Sequence, residues 1–547
     1  MPNSSVIGWR TALSAITTSG ALRPVGPRAA LSIARAYHSY GRSLGLLVAV
    51  SAARHPDRIA LIDDLGAVTY RDLVRRSETI AGALHAIDPR LRSIGILCRN
   101  HRGFAEAVIA GSRLGCELVF LNTELPPVQL ARILERHRPE ALIHDDEFLG
   151  ALTETGYTGT RVRAWCEPDT ESALPTLDQL ARQRHSAPPP VRRPVRITLL
   201  TSGTTGMAKG VGRNVGLRPA LEAAASLAAA SRLRRQDVVV VAPPFFHGFG
   251  VAALAGQLAL GATVIARRRF DPEITLADIE RYRATVFIGV PVMIQRLTAV
   301  PDDIRRRYRT GSLRLALTGA APIPPAVIAA FLRDFGPLLN GYGSTEAGVV
   351  ALATPDDLAY SPKTVGRPII GVSVRVLRAD RTPAATEETG AIFVRGGIGF
   401  SGYTADPTGS APTKEIVDGY VNTGDMGHLD THGRLYIDGR DDEMIVSGGE
   451  NIYPREVENA LAEHPAVTDV TVIGIPDPEY GQVLRAYIVT GATEPADDEL
   501  KQHVRDRLER YKTPKQFIRL AEIPRNPSGK VLRHRLDDHP APRQDRP

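Results

Sequence analysis

Beyond about residue 44, short apolar runs alternate with segments whose apolar positions recur at helical spacing. Arg58–Asp63 predicts a strand, and Gly66 a turn. Thr69 then predicts a helix start, with Leu73, Ile80 and Leu84 on its apolar face and Asp72 at the capping-box position. Ser93–Cys98 predicts a strand, Phe104–Leu114 a helix and Glu117–Leu121 a further strand. Such alternation predicts α/β layers with parallel strands, continuing to about residue 370. The Pro- and Arg-rich stretch Ser186–Pro194 reads as a surface linker, and Val372–Ile437, with short strands and turns, as a β-rich subdomain. Near the end, Pro454 opens a helix with Val457 and Leu461, and Val470–Ile475 is strand-like. Leu500, Val504, Leu508 and Tyr511 recur at helical spacing behind Asp497 and Asp498. The fold class expected is α/β multidomain: a large N-terminal domain of layered α/β subdomains with a β-rich subdomain, then a small α+β C-terminal domain. The boundaries expected are a basic extension over 1–43, the large domain over 44–438, a polar joint over 439–442, the small domain over 443–536 and a loose tail over 537–547.

Composition narrows this picture. In 547 residues, 43% are hydrophobic and 23% charged, which excludes a wholly disordered, collagen-like or disulfide-built chain. The net charge of +7 sets 67 bases against 60 acids, a mild excess that favours anionic ligands and does not indicate a nucleic-acid partner. Cys98, Cys116 and Cys166 match no zinc spacing, and they read as buried small hydrophobes in a reducing cytoplasm. The longest charge-free stretch, Val238–Ala266, is broken by Pro243, Pro244, His247 and glycines, so no membrane span is expected. Residues 1–43 carry Arg10, Arg23, Arg28, Arg35 and Arg42 and no acid. They read as a loose basic extension, with a helix over Arg28–Val50 as a candidate contact with an anionic membrane.

Five segments carry chemistry. Thr201, Ser202, Gly203, Thr204, Thr205 and Gly206 lead through Met207 and Ala208 to Lys209 and Gly210, directly after the strand-like Ile197–Leu200. Glycines let backbone N–H groups approach phosphate oxygens, and the hydroxyls and lysine add donors. Ala208 before the lysine excludes a Walker A loop. Asn340, Gly341, Tyr342, Gly343, Ser344, Thr345 and Glu346 place an aromatic ring between glycines, ahead of a carboxylate able to hold a hard cation. Thr423-Gly-Asp425 sets one carboxylate on a tight turn. Gly439-Arg-Asp-Asp442 leads into Ile445–Ile452, and Pro524–Arg533 displays Lys530 on a Ser-Gly turn.

In this order the five segments resemble the adenylate-forming superfamily, which includes acyl-CoA synthetases, adenylation domains of nonribosomal peptide synthetases and firefly luciferase. The resemblance covers about residues 45–536. It implies that Thr201–Gly210 is the phosphate-binding loop, with Ala208 where the family has proline. Gly319, Ala320, Ala321 and Pro322 would be the backbone against which adenine lies, and Tyr342 its stacking partner. Thr345 would contact the α-phosphate and Glu346 would ligate magnesium. Asp425 and Arg440 would hold the ribose hydroxyls, and Asp442 would be the hinge of a mobile C-terminal domain. Lys530 would be the catalytic lysine of adenylation, and Gly448, with Gly449 beside it, would line the pantetheine tunnel. The family's Gly-Glu at the start of the β-rich segment is Gly390-Ala391 here.

The resemblance also places the acid pocket around His247, Phe249, Val292, Met293 and Gly319–Pro322. These stretches are largely apolar and show no Asp to pair with an amino group. A fatty or other hydrophobic acid is expected, with ATP, Mg²⁺ and coenzyme A as co-reactants, making the chain a fatty-acid–CoA ligase. The alternatives are an aryl or other carboxylic acid–CoA ligase, or an acyl-AMP ligase loading a separate carrier protein. A silent binding protein is disfavoured by the presence of Lys530, Glu346, Asp425 and Arg440.

Overall fold

The computed structural model describes residues 17, 25–167, 173–193, 195–201, 209–211, 217–344, 348–396, 415–447, 450–478, 480–491, 493–526 and 529–536. Two large sheets form the N-terminal part. In the first, Thr263–Ile265, Val238–Val241, Val286–Ile288, Leu315–Gly319 and Leu338–Ser344 run parallel in that order. This sheet continues antiparallel through Gly348–Ala353 and Thr364–Pro368 into Leu435–Arg440, Tyr420–Leu429, Gly390–Gly396 and Val372–Leu377. The expected β-rich segment is therefore an extension of the first sheet. The second sheet orders Thr160–Trp165, Ala141–Asp145, Ser93–Leu97, Glu117–Phe120, Ile197–Thr201 and Lys209–Val211.

Helix Arg102–Leu114 packs between the two sheets, buried from Gly103 to Arg113. A Cβ on Gly111 would lie 2.5 Å from Leu118 Cδ2, so the helix sits close enough to the sheet that a larger residue there would push the Leu118 side chain aside. Thr69 caps helix Tyr70–Ile87: its Oγ1 accepts from the Asp72 N–H at 3.1 Å and its hydroxyl donates to Asp72 Oδ2 at 2.8 Å.

Several expectations change. The basic segment holds two helices, Pro27–Tyr40 and Leu44–Arg54, in place of one over 28–50, with Gly41 between them at φ 56°. The first helix is folded onto the molecule: Tyr40 is 1% exposed, and Arg113 lies over its ring. Arg113 also donates to the Pro189 carbonyl at 2.9 Å and Pro188 is buried, so the proline-rich stretch is a strap across the helices. Cys98 and Cys116 are buried, but Cys166 is exposed. Among the described residues one group of metal-type side chains, Cys98, His101 and Asp145, lies within 4.8 Å. Its polar atoms are engaged locally: His101 Nδ1 accepts from the Gly103 N–H at 3.0 Å, and Nε2 meets Asp145 at 2.8 Å. His101 thereby caps the central helix.

The C-terminal part has a five-stranded sheet around Val467–Asp477 and Gly481–Thr490, with helices Pro454–Ala462 and Asp497–Arg505 on it. Leu500 and Val504 are buried as expected, but the helix ends at Arg505. Tyr511 sits in a later 3₁₀ turn, where Lys512 pairs with Glu456 at 2.6 Å and Glu509 at 3.0 Å. Among the described residues no helix is long and apolar enough to cross a membrane.

Candidate active site

Strands Leu315–Gly319 and Leu338–Ser344 end side by side, with Gly319 opposite Gly341. A Cβ on Gly319 would lie 2.7 Å from the Gly341 carbonyl oxygen, so the strand ends meet only because this residue lacks a side chain. Ala320 follows in the left-handed region at φ 71° and is exposed. That conformation costs a non-glycine residue roughly 1–2 kcal/mol, and such strain gathers at functional sites. Asn340 is buried beside Thr318.

Tyr342 extends from the same strand, and its hydroxyl donates to the Asp425 carboxylate. Burial, reinforced by the Asp425 charge, holds the phenol far above its ordinary pKa, so it remains a donor. Asp425 stands directly across its hairpin from Arg440, with Oδ1 3.8 Å from the guanidinium. Thr423-Gly-Asp425, expected on a tight turn, lies instead within strand Tyr420–Leu429, with Gly424 at φ 82°, and it is braced: the Asp425 N–H donates to Thr423 Oγ1 at 3.1 Å, and the Thr423 hydroxyl donates to the Ile392 carbonyl at 3.0 Å. A ring with a carboxylate and an arginine at its edge suits a nucleoside, whose diol can donate to the carboxylate. This donor set fits the adenosine half of ATP.

Of the loop Thr201–Gly210, expected to bind phosphate, only the base is described. Thr201 pairs with Lys209 across the hairpin formed by Ile197–Thr201 and Lys209–Val211. Ser202, Gly203, Thr204, Thr205 and Gly206 lie outside the described residues, as do Thr345, Glu346, Gly448 and Gly449. Asp442 falls in the 3₁₀ turn Asp441–Glu443, between the last strand of the large unit and the first of the small one.

His247 is the residue before helix Gly248–Leu260, and its buried Nε2 has no hydrogen-bond partner among the described residues. Burial lowers its pKa to about 4, which keeps the ring neutral. A Cβ on Gly250 would strike the Pro244 carbonyl oxygen at 2.0 Å, so the Pro-Pro-Phe-Phe-His turn closes only over glycine. Sequence reasoning missed Asn100, which clamps this turn: it donates to the Pro243 carbonyl at 2.9 Å and accepts from the Phe245 N–H at 2.8 Å. An Asn after a strand had no visible link to a turn more than 140 residues away. Phe249 and Val292 pack against the cluster that contains Val290 and Met293.

The turn bearing Lys530 reaches this same wall. Gly529, at φ 84°, sits where a Cβ would lie 3.3 Å from Val292 Cγ1 and 3.8 Å from Val290 Cγ2. Lys530 is exposed, and its N–H donates to Asn526 Oδ1 at 2.8 Å. The small unit is thus seated with its lysine turn on the apolar wall.

Known proteins resemble the chain over most of its length. The family model for AMP-binding enzyme matches residues 48–404, and that for the AMP-binding enzyme C-terminal domain matches 456–530. The chain is 34% identical over 495 residues to 3-[(3aS,4S,7aS)-7a-methyl-1,5-dioxo-octahydro-1H-inden-4-yl]propanoyl:CoA ligase of Rhodococcus jostii, covering 86% of this chain and 93% of that one. It is 32% identical over 493 residues to 2-succinylbenzoate–CoA ligase of Bacillus velezensis, covering 88% and 95%. The o-succinylbenzoate coenzyme A synthetase of Bacillus subtilis, solved with ATP and a magnesium ion, superposes with a TM-score of 0.76 at 29% identity, covering 90% of this chain and 99% of that one. With both of its units matched, the chain belongs to the AMP-binding enzyme family, the adenylate-forming enzymes.

Proposed function

We propose that the chain activates a ring-bearing carboxylic acid as its acyl-adenylate and transfers the acyl group to coenzyme A. It is an AMP-forming acid–CoA ligase using ATP, Mg²⁺ and coenzyme A. Two observations support the reading: the Tyr342–Asp425–Arg440 group, suited to a nucleoside, and the turn bearing Lys530 packed on the apolar wall at Val290 and Val292.

In the first half-reaction a carboxylate oxygen of the acid bonds to the α-phosphorus of ATP, and the bond to the bridging oxygen breaks, releasing pyrophosphate. Two anions approach each other, so cationic groups must offset their repulsion. Lys530 serves here, close to both, while Tyr342, Asp425 and Arg440 orient the nucleoside and Thr345 contacts the α-phosphate. Glu346 would hold a magnesium ion, which would supply further positive charge to the phosphates. In the second half-reaction the coenzyme A thiol attacks the acyl carbonyl, its proton is lost and AMP leaves. Rotation about Asp442 brings Gly448 and Gly449 to the site in place of Lys530.

The fatty acid suggested by the apolar lining gives way to a ring-bearing acid, because the relatives named above act on a bicyclic propanoate and on succinylbenzoate. Phe249, Val292 and Met293 suit a ring as well as an alkyl chain, since burial of apolar area does not depend on shape. The neutral His247, whose buried Nε2 has no partner among the described residues, is a polar group available to a substituent on such an acid. The test is pyrophosphate release and thioester formation across ring-bearing acids and fatty acids of graded length. The ring-bearing acids are expected to lead in kcat/KM by tenfold or more. Fatty acids leading by that margin would overturn the reading.

A further inference from the structure

The small unit is seated on the large one through more than the apolar contact of Gly529. Helix Pro291–Thr298 carries Val292, which meets Gly529, and one turn further on Gln295. The Gln295 side-chain amide donates to the Thr468 carbonyl at 2.6 Å. Residues three apart share a helix face, so one face of this short helix makes both contacts. Thr468 precedes Asp469, whose carboxylate accepts from Arg525 Nη2 at 2.7 Å. Arg525 in turn donates from Nη1 to the Gly529 carbonyl at 3.1 Å, inside the turn that displays Lys530. That turn is closed by Asn526 N–H to the Lys530 carbonyl at 2.8 Å and Gly529 N–H to the Asn526 carbonyl at 2.8 Å.

We propose that Gln295, acting through Thr468 and the Asp469–Arg525 pair, forms a clamp that seats Lys530 at the acid pocket. These are positioning residues for adenylation, an assignment that rests on the function proposed above. The backbone of Thr468 is held by the clamp while its hydroxyl is occupied elsewhere, donating to the Val489 carbonyl at 3.0 Å. The clamp engages only in the present seating of the small unit, so its loss should weaken one half-reaction and leave the other.

The experiment uses the full chain with Gln295→Ala, Arg525→Ala and Arg525→Lys. Single-turnover pyrophosphate release reports adenylation, and thioester formation from supplied acyl-adenylate and coenzyme A reports the second half-reaction. Gln295→Ala should slow adenylation about two- to tenfold, the weight of one ordinary hydrogen bond, with KM for ATP and thioester formation unchanged. Arg525→Ala should slow it at least as much, and Arg525→Lys less. Equal slowing of both half-reactions, or adenylation at the wild-type rate in Gln295→Ala, would overturn the clamp. Hydrogen exchange of the Asn526, Gly529 and Lys530 amides, measured without substrates, gives a readout independent of turnover. It should quicken in Gln295→Ala, and unchanged exchange would also overturn the clamp. A wild-type chain that adenylates no acid would instead sink the proposed function, while exchange still judged the clamp.

Discussion

Gly439→Ala adds one methyl group at the place where the two units meet. Gly439 lies in strand Leu435–Arg440, and Tyr453 precedes helix Pro454–Ala462 of the small unit. A Cβ on Gly439 would lie 2.7 Å from Tyr453 Cδ1, 3.0 Å from its Cβ and 3.1 Å from its Cγ. Favourable carbon–carbon contacts begin near roughly 3.5 Å, so the new methyl is about 0.8 Å too close. Two of the crowded atoms sit at the root of the tyrosine, so turning the ring cannot relieve the overlap and the backbone must move. Overpacking of this kind costs about 1–3 kcal/mol. Gly439 is not among the residues with positive φ, so alanine adds no backbone strain of its own. The penalty therefore falls on the arrangement that places Tyr453 over Gly439 and the turn bearing Lys530 against Val290 and Val292. At 1.4 kcal/mol per factor of ten, adenylation should fall by about 5- to 150-fold. Rapid-quench measurement of pyrophosphate release gives that rate, and thioester formation from supplied acyl-adenylate should stay within about twofold of wild type. The double variant Gly439→Ala with Tyr453→Ala should recover most of the loss, because the crowded ring is gone. Equal damage to both half-reactions, or no recovery in the double variant, would refute the reasoning.

Lys530→Ala should cut adenylation by orders of magnitude and spare thioester formation from supplied acyl-adenylate; near-normal pyrophosphate release would count against its role. Tyr342→Phe removes a hydrogen bond to the Asp425 carboxylate, worth about 1.5–3 kcal/mol, so kcat/KM for ATP should fall about tenfold or more with KM for the acid unchanged in a steady-state titration. His247 has a folded pKa lowered to about 4 from 6.5, so between those values the unfolded chain binds the extra proton and stability should decline as pH falls. In His247→Leu the fall in Tm between pH 6.5 and 4 should be smaller, and parallel Tm curves for variant and wild type would refute this. Deleting residues 1–43 should lower thermal stability as well as binding to anionic vesicles, because Tyr40 is buried; Tyr40→Ala by itself should cost about 3–5 kcal/mol in denaturant unfolding.

Local features of the chain were legible without coordinates. A glycine-rich loop, a capping Thr69 and an alternation of apolar runs are each written in a few adjacent residues, and their chemistry follows from residue type and spacing. The layered α/β order, the existence of a separate C-terminal unit and the family all rest on such contiguous signals. Extrapolating local periodicity failed where tertiary contacts overruled it. Gly41 breaks the expected helix, Tyr511 falls in a separate turn beyond Arg505, and the strap around Pro188 is held by Arg113. Tertiary structure alone decided which distant residues meet. Asp425 faces Arg440 because of the register of a hairpin, which slips once between Met426 and Gly427. Asn100 reaches Pro243 across two sheets, and Gln295 meets Thr468 across two units. These pairings depend on where whole elements pack, a sum of many weak contacts that no short window of sequence contains.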